Sequence, residues 1–153
     1  MSIGRNNDER GASAVEMALV APFLILILLG IIEFGYLFGE YNEVRHAARE
    51  GARFAAVSNV ALDMDADTDI DETDVILAIC GALDLTGATI DIALDRSGDA
   101  IGDTATVEIT ANVDSLSGAP IISGFIPDTL ANEAVFRLEQ PATWAATTVN
   151  DAC

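Results

Sequence analysis

The chain has no lysine, one histidine and two cysteines, and these shortages exclude several classes of protein. All seven basic residues are arginine, against 25 acidic residues, and the formal net charge is −18. Nucleic-acid affinity depends on clustered Lys and Arg, so a nucleic-acid-binding surface is excluded. The sequence contains no phosphate loop, dinucleotide turn, CxxC or HExxH motif, and His46 has no ligand partner at metal spacing. We therefore predict that the protein is not an enzyme and needs no cofactor.

What the sequence does contain is a long apolar run near its N-terminus. Residues 17–32 carry no charge, and Glu33 is the only charged residue between there and Gly39. A helix of this length spans about 34 Å at 1.5 Å per residue, which is enough for a hydrocarbon core of about 30 Å. We predict a transmembrane helix over residues 12–39, bent where Pro22 removes a backbone hydrogen bond.

The same helix is predicted to continue past the membrane as an amphipathic extension over residues 40–57. Apolar residues recur there at helical spacing, while Arg45, Arg49 and Arg53 form a separate basic edge. Residues 1–11 form a short polar leader with no apolar run to bury, and we expect them to be disordered.

A strongly acidic loop is predicted over residues 58–74. Its spacing of acids resembles a Ca²⁺-binding EF-hand loop, but Thr68 stands where the turn needs glycine, and an aspartate replaces the final glutamate. A solvated acidic loop is therefore favoured, with Ca²⁺ binding as the alternative. The candidate ligands would be Asp63, Asp65, Asp67, Asp69, Asp71 and Asp74.

Residues 75–153 predict one small domain of α+β class. A short helix, capped by Asp71 or Thr73, covers the apolar run that begins at Val75. The period then changes to two, and turn residues between two alternating segments predict a hairpin, followed by a third strand around Ala131–Leu138. We expect one short helix over a three-stranded antiparallel sheet, carried by the long N-terminal helix.

The two cysteines, Cys80 and Cys153, both lie in this domain. In an exported domain they would form a disulfide, and the alternative is two unpaired thiols. The arginines on the two sides of the span do not decide its orientation. Export of the cysteine-bearing acidic part favours a cytoplasmic N-terminus and an exported C-terminal domain.

Glu16 is an acid near the start of a membrane helix, where a carboxylate carries an energetic cost. If the chain is cut after Gly11, Glu16 becomes the fifth residue and Ala12 carries a new α-amine. In a staggered pack of such helices, the amine of one copy can neutralise the glutamate of its neighbour. The alternative is a glutamate that reaches the interface by itself.

The segment Gly11-Ala12-Ser13-Ala14-Val15-Glu16-Met17, followed by an apolar helix, resembles the processing site of type IV prepilins. The longer pattern to Ala56 resembles the TadE-like family of pseudopilins, which are minor pilins of tight-adherence (Flp) pili. The resemblance implies cleavage by a prepilin peptidase between Gly11 and Ala12. It also implies contacts with other pilins and with the inner-membrane assembly platform. The length of the chain and Met17, where major Flp pilins tend to carry Tyr, favour a minor subunit.

Two sets of site residues follow from this resemblance and from the helix pattern. The GxxxG pair formed by Gly35 and Gly39 permits close helix contact, whereas Glu33 either reaches interfacial water or pairs with a partner. Helix packing is assigned to Glu16, Met17, Pro22, Glu33, Gly35 and Gly39. The second set is a family block of Arg49, Glu50, Gly51 and Arg53, for which packing through Gly51 is the simplest account.

The sequence therefore predicts a non-catalytic minor pilin that acts in the assembly of tight-adherence pili from the cytoplasmic membrane. The alternative function is an unprocessed, membrane-anchored extracytoplasmic binding module, responsive to Ca²⁺ through the acidic loop.

Overall fold

A computed structural model describes residues 5–57, 71–85, 87–114, 116 and 124–153. It contains two helices, α1 (Arg5–Val57) and α2 (Glu72–Gly81). Four strands follow, namely β1 (Thr89–Arg96), β2 (Thr104–Asn112), β3 (Thr129–Arg137) and β4 (Thr147–Val149). The predicted α+β class is confirmed.

The long helix α1 is a single element of 53 residues, about 80 Å long at 1.5 Å per residue. It ends at Val57, as the sequence predicts, and it continues through Pro22. It begins at Arg5, so residues 5–10 extend the helix and the expectation of a wholly disordered leader is wrong for them. Polar residues joined to a long apolar helix need no buried face of their own to continue its backbone hydrogen bonds.

The sheet has the order β3-β2-β1-β4, and every neighbouring pair is antiparallel. The predicted hairpin is formed by β1 and β2, with Ile92 opposite Ile109, and β3 is the predicted third strand. The fourth strand was missed, and it pairs with the other side of β1, where Val149 lies opposite Ile92. Because β4 has three residues, it is too short to show the alternation that reveals a strand.

One face of the sheet forms the core and the other faces solvent. Alternate residues of β1 and β2 are buried, in the pattern expected of a sheet covered on one side. Helix α1 covers β2 and β3 and also contacts α2. The core side of α1 consists of small residues, namely Val44, Ala47, Ala48, Ala52, Ala55 and Ala56.

The start of α2 is capped as the sequence predicts. Asp71 is the N-cap, and its Oδ1 accepts a hydrogen bond of 2.7 Å from the Thr73 amide. Asp74 is fully buried, and its Oδ2 accepts from the Asp71 amide at 3.2 Å. The two aspartates therefore form a reciprocal capping box.

Strand β3 runs alongside α1 in the same direction and gives the domain two ends. At its start, Leu130 lies with Leu37 and Tyr41 of α1 around one apolar groove. Just after its last residue, the Glu139 amide donates to the Ala56 carbonyl at 2.8 Å. We call these the near end, beside the apolar part of α1, and the far end, beside its C-terminus.

Candidate functional site

Most of the N-terminal part of α1 is not covered by the rest of the described chain. We call residues 11–36 the bare half and residues 37–57 the packed half. In the bare half large apolar side chains stand exposed, with Leu19 at 68 % and Phe23 at 67 % of their surface. The most apolar 18-residue window of the helix buries none of its residues within the chain. By length and composition this helix could span a membrane.

The predicted processing and packing residues at the start of the bare half are all accessible. Gly11, Ala12, Glu16 and Met17 are exposed, and an added Cβ at Gly11 would meet no atom within 4 Å. Pro22 is exposed as well. These residues are brought together by helical spacing alone, and none of them packs on the domain, so they face whatever surrounds the helix.

Glu33 differs from the rest of the bare half. Its residue surface is 2 % exposed, and it has an interaction partner. The expectation that Glu33 reaches interfacial water is therefore not met. Helical periodicity explains this position, because Glu33 lies four residues before Leu37 and so on the same side of α1 as the domain.

Gly35 and Gly39 lie on an open part of the helix surface. An added Cβ would meet nothing within 4 Å at either position. Together with Tyr36, they line a shallow groove whose other side consists of the carboxylates Glu40, Glu43 and Asp84. The GxxxG pair thus leaves room for a neighbouring helix, as the sequence predicts.

The family block separates into one packing residue and three exposed ones. Gly51 is buried, and a Cβ placed on it would lie 2.3 Å from Cγ1 of Ile79, so α2 approaches α1 closely only because position 51 has no side chain. This supports the simple account of Gly51. Arg49, Glu50 and Arg53 point away from the core, and with Arg45 the two arginines leave an accessible basic edge.

The C-terminal tail ties the domain to the far end of α1. Trp144 is fully buried, and its indole Nε1 donates to the Ala55 carbonyl at 2.9 Å. Arg96 lies over the indole ring, 5.4 Å from its centroid, and also donates to the Trp144 carbonyl and pairs with Asp99 at 3.1 Å. The sequence did not reveal the contact between Arg96 and Trp144, because the two lie 48 positions apart.

The predicted disulfide is present. Cys80 and Cys153 are bonded, with their Cα atoms 5.6 Å apart and a sequence separation of 73 positions. Beside it, the Ala152 amide donates to the Ile90 carbonyl at 2.8 Å. The bond therefore joins the end of α2 to the C-terminus next to the start of β1.

Two of the six candidate Ca²⁺ ligands have a structural role. Asp71 and Asp74 form the capping box of α2, so their carboxylates are engaged with backbone amides. Asp63, Asp65, Asp67 and Asp69 lie outside the described residues. Among the residues that are described, no group of three or more His, Cys, Asp or Glu side chains is placed to hold a metal ion.

Comparison with known families bears on α1 alone. Residues 11–53 match the family model described as TadE-like protein. Over this helix, the chain is similar to the TadE-like family. The TadE-like match begins at Gly11 and ends at Arg53, so it contains the whole bare half and the whole family block. A search of curated proteins and a search of solved structures each found no match.

Proposed function

We propose that this protein is a non-catalytic minor pilin, cut by a prepilin peptidase between Gly11 and Ala12, that acts in the assembly of tight-adherence pili. One observation carries the proposal: the TadE-like match covers a helix whose most apolar 18-residue window buries none of its residues within the described chain. Exposed side chains of this size need either lipid or other apolar helices around them. A helix that passes from a bilayer into a fibre would exchange the first environment for the second.

In this proposal, Glu16 favours the transfer of the helix from the bilayer into the fibre. After cleavage, Ala12 would carry a free α-amine four residues before the Glu16 carboxylate. If a neighbouring helix is shifted along the axis by about four residues, roughly 6 Å at 1.5 Å per residue, its amine comes level with Glu16. An ion pair that is removed from water on both sides is strong, whereas a lone carboxylate in lipid is costly. The exposed position of Glu16 leaves its carboxylate accessible to such a neighbour.

The proposed partners follow from the TadE-like match. The peptidase would act on the leader from the cytoplasmic side, other pilins would pack on the bare half, and the inner-membrane platform would hold the subunit before assembly. Gly35 and Gly39 offer a place where a second helix can approach closely. The acidic domain would remain outside the membrane.

The test is the mature N-terminus of the full chain, expressed with and without the peptidase. We expect sequencing to begin at Ala12 only when the peptidase is present, and Gly11→Ile to retain the leader. Gly4→Ile, in the same leader, is the matched control and should still be cut. A chain that keeps residues 1–11 in the presence of an active peptidase would refute the proposal.

A second arm separates cleavage from assembly. Glu16→Gln should be cut as the wild type is, yet be depleted from sheared pili, because the amide cannot form the ion pair. Glu133→Gln, which removes an exposed acid from the domain instead of the helix, should enter the pili normally. Equal recovery of the two variants would remove Glu16 from the mechanism.

A further inference from the structure

Two large apolar side chains in the connection between β2 and β3 are exposed. Phe125 is 78 % exposed and Leu116 is 57 % exposed. In sequence, residues 115–127 contain no charge, and no longer uncharged run exists after Val57, where eighteen acidic residues are found. Two exposed apolar side chains, Leu116 and Phe125, therefore lie in the longest uncharged run of a strongly acidic domain.

The position of this connection relates it to the apolar part of α1. It joins the end of β2 to the start of β3, both of which lie at the near end. The last backbone bond there runs from the Val113 amide to the Asp128 carbonyl at 3.0 Å. Beside it, Leu130 shares its apolar groove with Phe34 and Phe38 of α1. The connection thus begins at the level of residues 34–41, where the uncharged part of α1 ends.

We propose that Leu116 and Phe125 insert into the lipid interface of the bilayer that α1 spans. The apolar surface of α1 is exposed up to Phe38, which is 65 % exposed, so lipid that surrounds the helix also reaches the near end of the domain. Aromatic side chains suit the interface. Asp114 and Asp128, exposed at the two ends of the connection, limit its depth to the headgroup region. The proposal requires that α1 crosses a membrane and does not depend on a role in pili.

The test uses the full chain in nanodiscs that hold one copy each, with phosphatidylcholine brominated on its acyl chains as the quencher. The native chain has one tryptophan, Trp144, which is buried at the far end and provides a constant background. Phe125→Trp adds a second emitter at the near end. We expect this added emission to be blue-shifted and to lose about half or more of its intensity in brominated discs, as for a side chain within the acyl boundary.

Ile101→Trp is the matched control. Ile101 is 68 % exposed in the turn between β1 and β2, where the neighbouring Gly102 amide donates to the Leu138 carbonyl at the far end. Its added emission should be red-shifted and unaffected by bromine. Leu116→Trp provides a second reporter in the near-end connection and should behave as Phe125→Trp does.

Each outcome either supports or overturns the proposal. Quenching of the two near-end reporters above the Ile101→Trp level in single-copy discs supports insertion into lipid. Equal quenching at both ends overturns it. A blue shift of Phe125→Trp that appears only in discs with several copies would mean that a second copy of this chain covers Phe125, and this too would overturn the proposal.

Discussion

The two halves of α1 form one continuous helix, but one half exposes its apolar side chains and the other buries them. The bare half presents large side chains such as Leu19, Phe23 and Ile31, each exposed by 65 % or more. The packed half presents alanines and Gly51, which are buried against the sheet and α2. Among the apolar side chains of the two halves, size is therefore what differs.

The physical reason lies in what each half must contact. Small side chains allow a sheet to approach a helix closely, so that the core of a small domain is densely packed. Large side chains give a helix apolar area toward lipid or toward other helices in an assembly. A domain can therefore be attached to one end of an assembly helix without covering the surface that assembles.

The largest effect on stability is expected from removal of the disulfide between Cys80 and Cys153. Because the cysteines lie 73 positions apart in sequence, removal of the disulfide should lower the free energy of unfolding by about 4 kcal/mol in the chain-entropy model. The measurement is urea unfolding of the full chain in detergent, comparing wild type with the variant Cys80→Ser/Cys153→Ser. Reductant should lower the wild type to the variant's stability and leave the variant unchanged. A wild type indifferent to reductant would contradict this prediction.

A smaller loss is expected where the tail meets the end of α1. Trp144→Phe removes the hydrogen bond to the Ala55 carbonyl and part of the buried ring, and should cost about 2–3 kcal/mol. Phe136→Leu, at a side chain that is 40 % exposed, is the control and should cost much less. Near-ultraviolet circular dichroism during urea unfolding follows both variants. Equal losses would show that Trp144 is not the tie between tail and helix.

The next largest effect is expected when a single methyl group is added to α1 at a buried glycine. Gly51→Ala places a Cβ 2.3 Å from Ile79 Cγ1 and should destabilise the domain by about 1–2 kcal/mol through overpacking. Gly39→Ala meets no atom and should change the free energy of unfolding by less than about 0.5 kcal/mol. Adding Ile79→Val to Gly51→Ala should recover part of the loss. The comparison fails if both glycine variants behave alike.

The smallest effect belongs to the bare half. Ile27 is 57 % exposed, so Ile27→Ala should change the urea unfolding of the domain by less than about 0.5 kcal/mol. Ile79→Ala, which makes the same truncation at a fully buried position, should cost about 2–5 kcal/mol. If Ile27→Ala also destabilised the domain, the bare half would have a partner within the chain.

Much of this architecture could be predicted from local sequence. The apolar run and the helical spacing up to Ala55 predict α1 to its last residue, and Asp71 marks the start of α2 because its side chain can cap a helix. Alternation predicts β1 and β2, since one face of each strand is buried. In each case the signal lies within about ten residues of the feature it predicts.

What could not be predicted depends on residues far apart in the chain. Strand β4 has three residues and exists because its edge of β1 is available for pairing. The contact of Arg96 with Trp144 joins positions 48 residues apart. The burial of Glu33 likewise requires knowing which side of α1 the domain covers, which no local pattern states.

The far end of α1 fixes the orientation of the domain to that of the helix itself. Trp144 and Glu139 bond to the last carbonyls of α1, and Gly51 allows α2 to lock against it, so the domain turns with the helix as one body. Each residue of an α-helix advances about 1.5 Å and turns about 100°. If two copies pack through their bare halves, sliding one copy by a single residue therefore rotates the direction in which its domain faces by more than a quarter turn. The axial register between two packed helices thus determines which surface of the acidic domain faces the neighbouring copy.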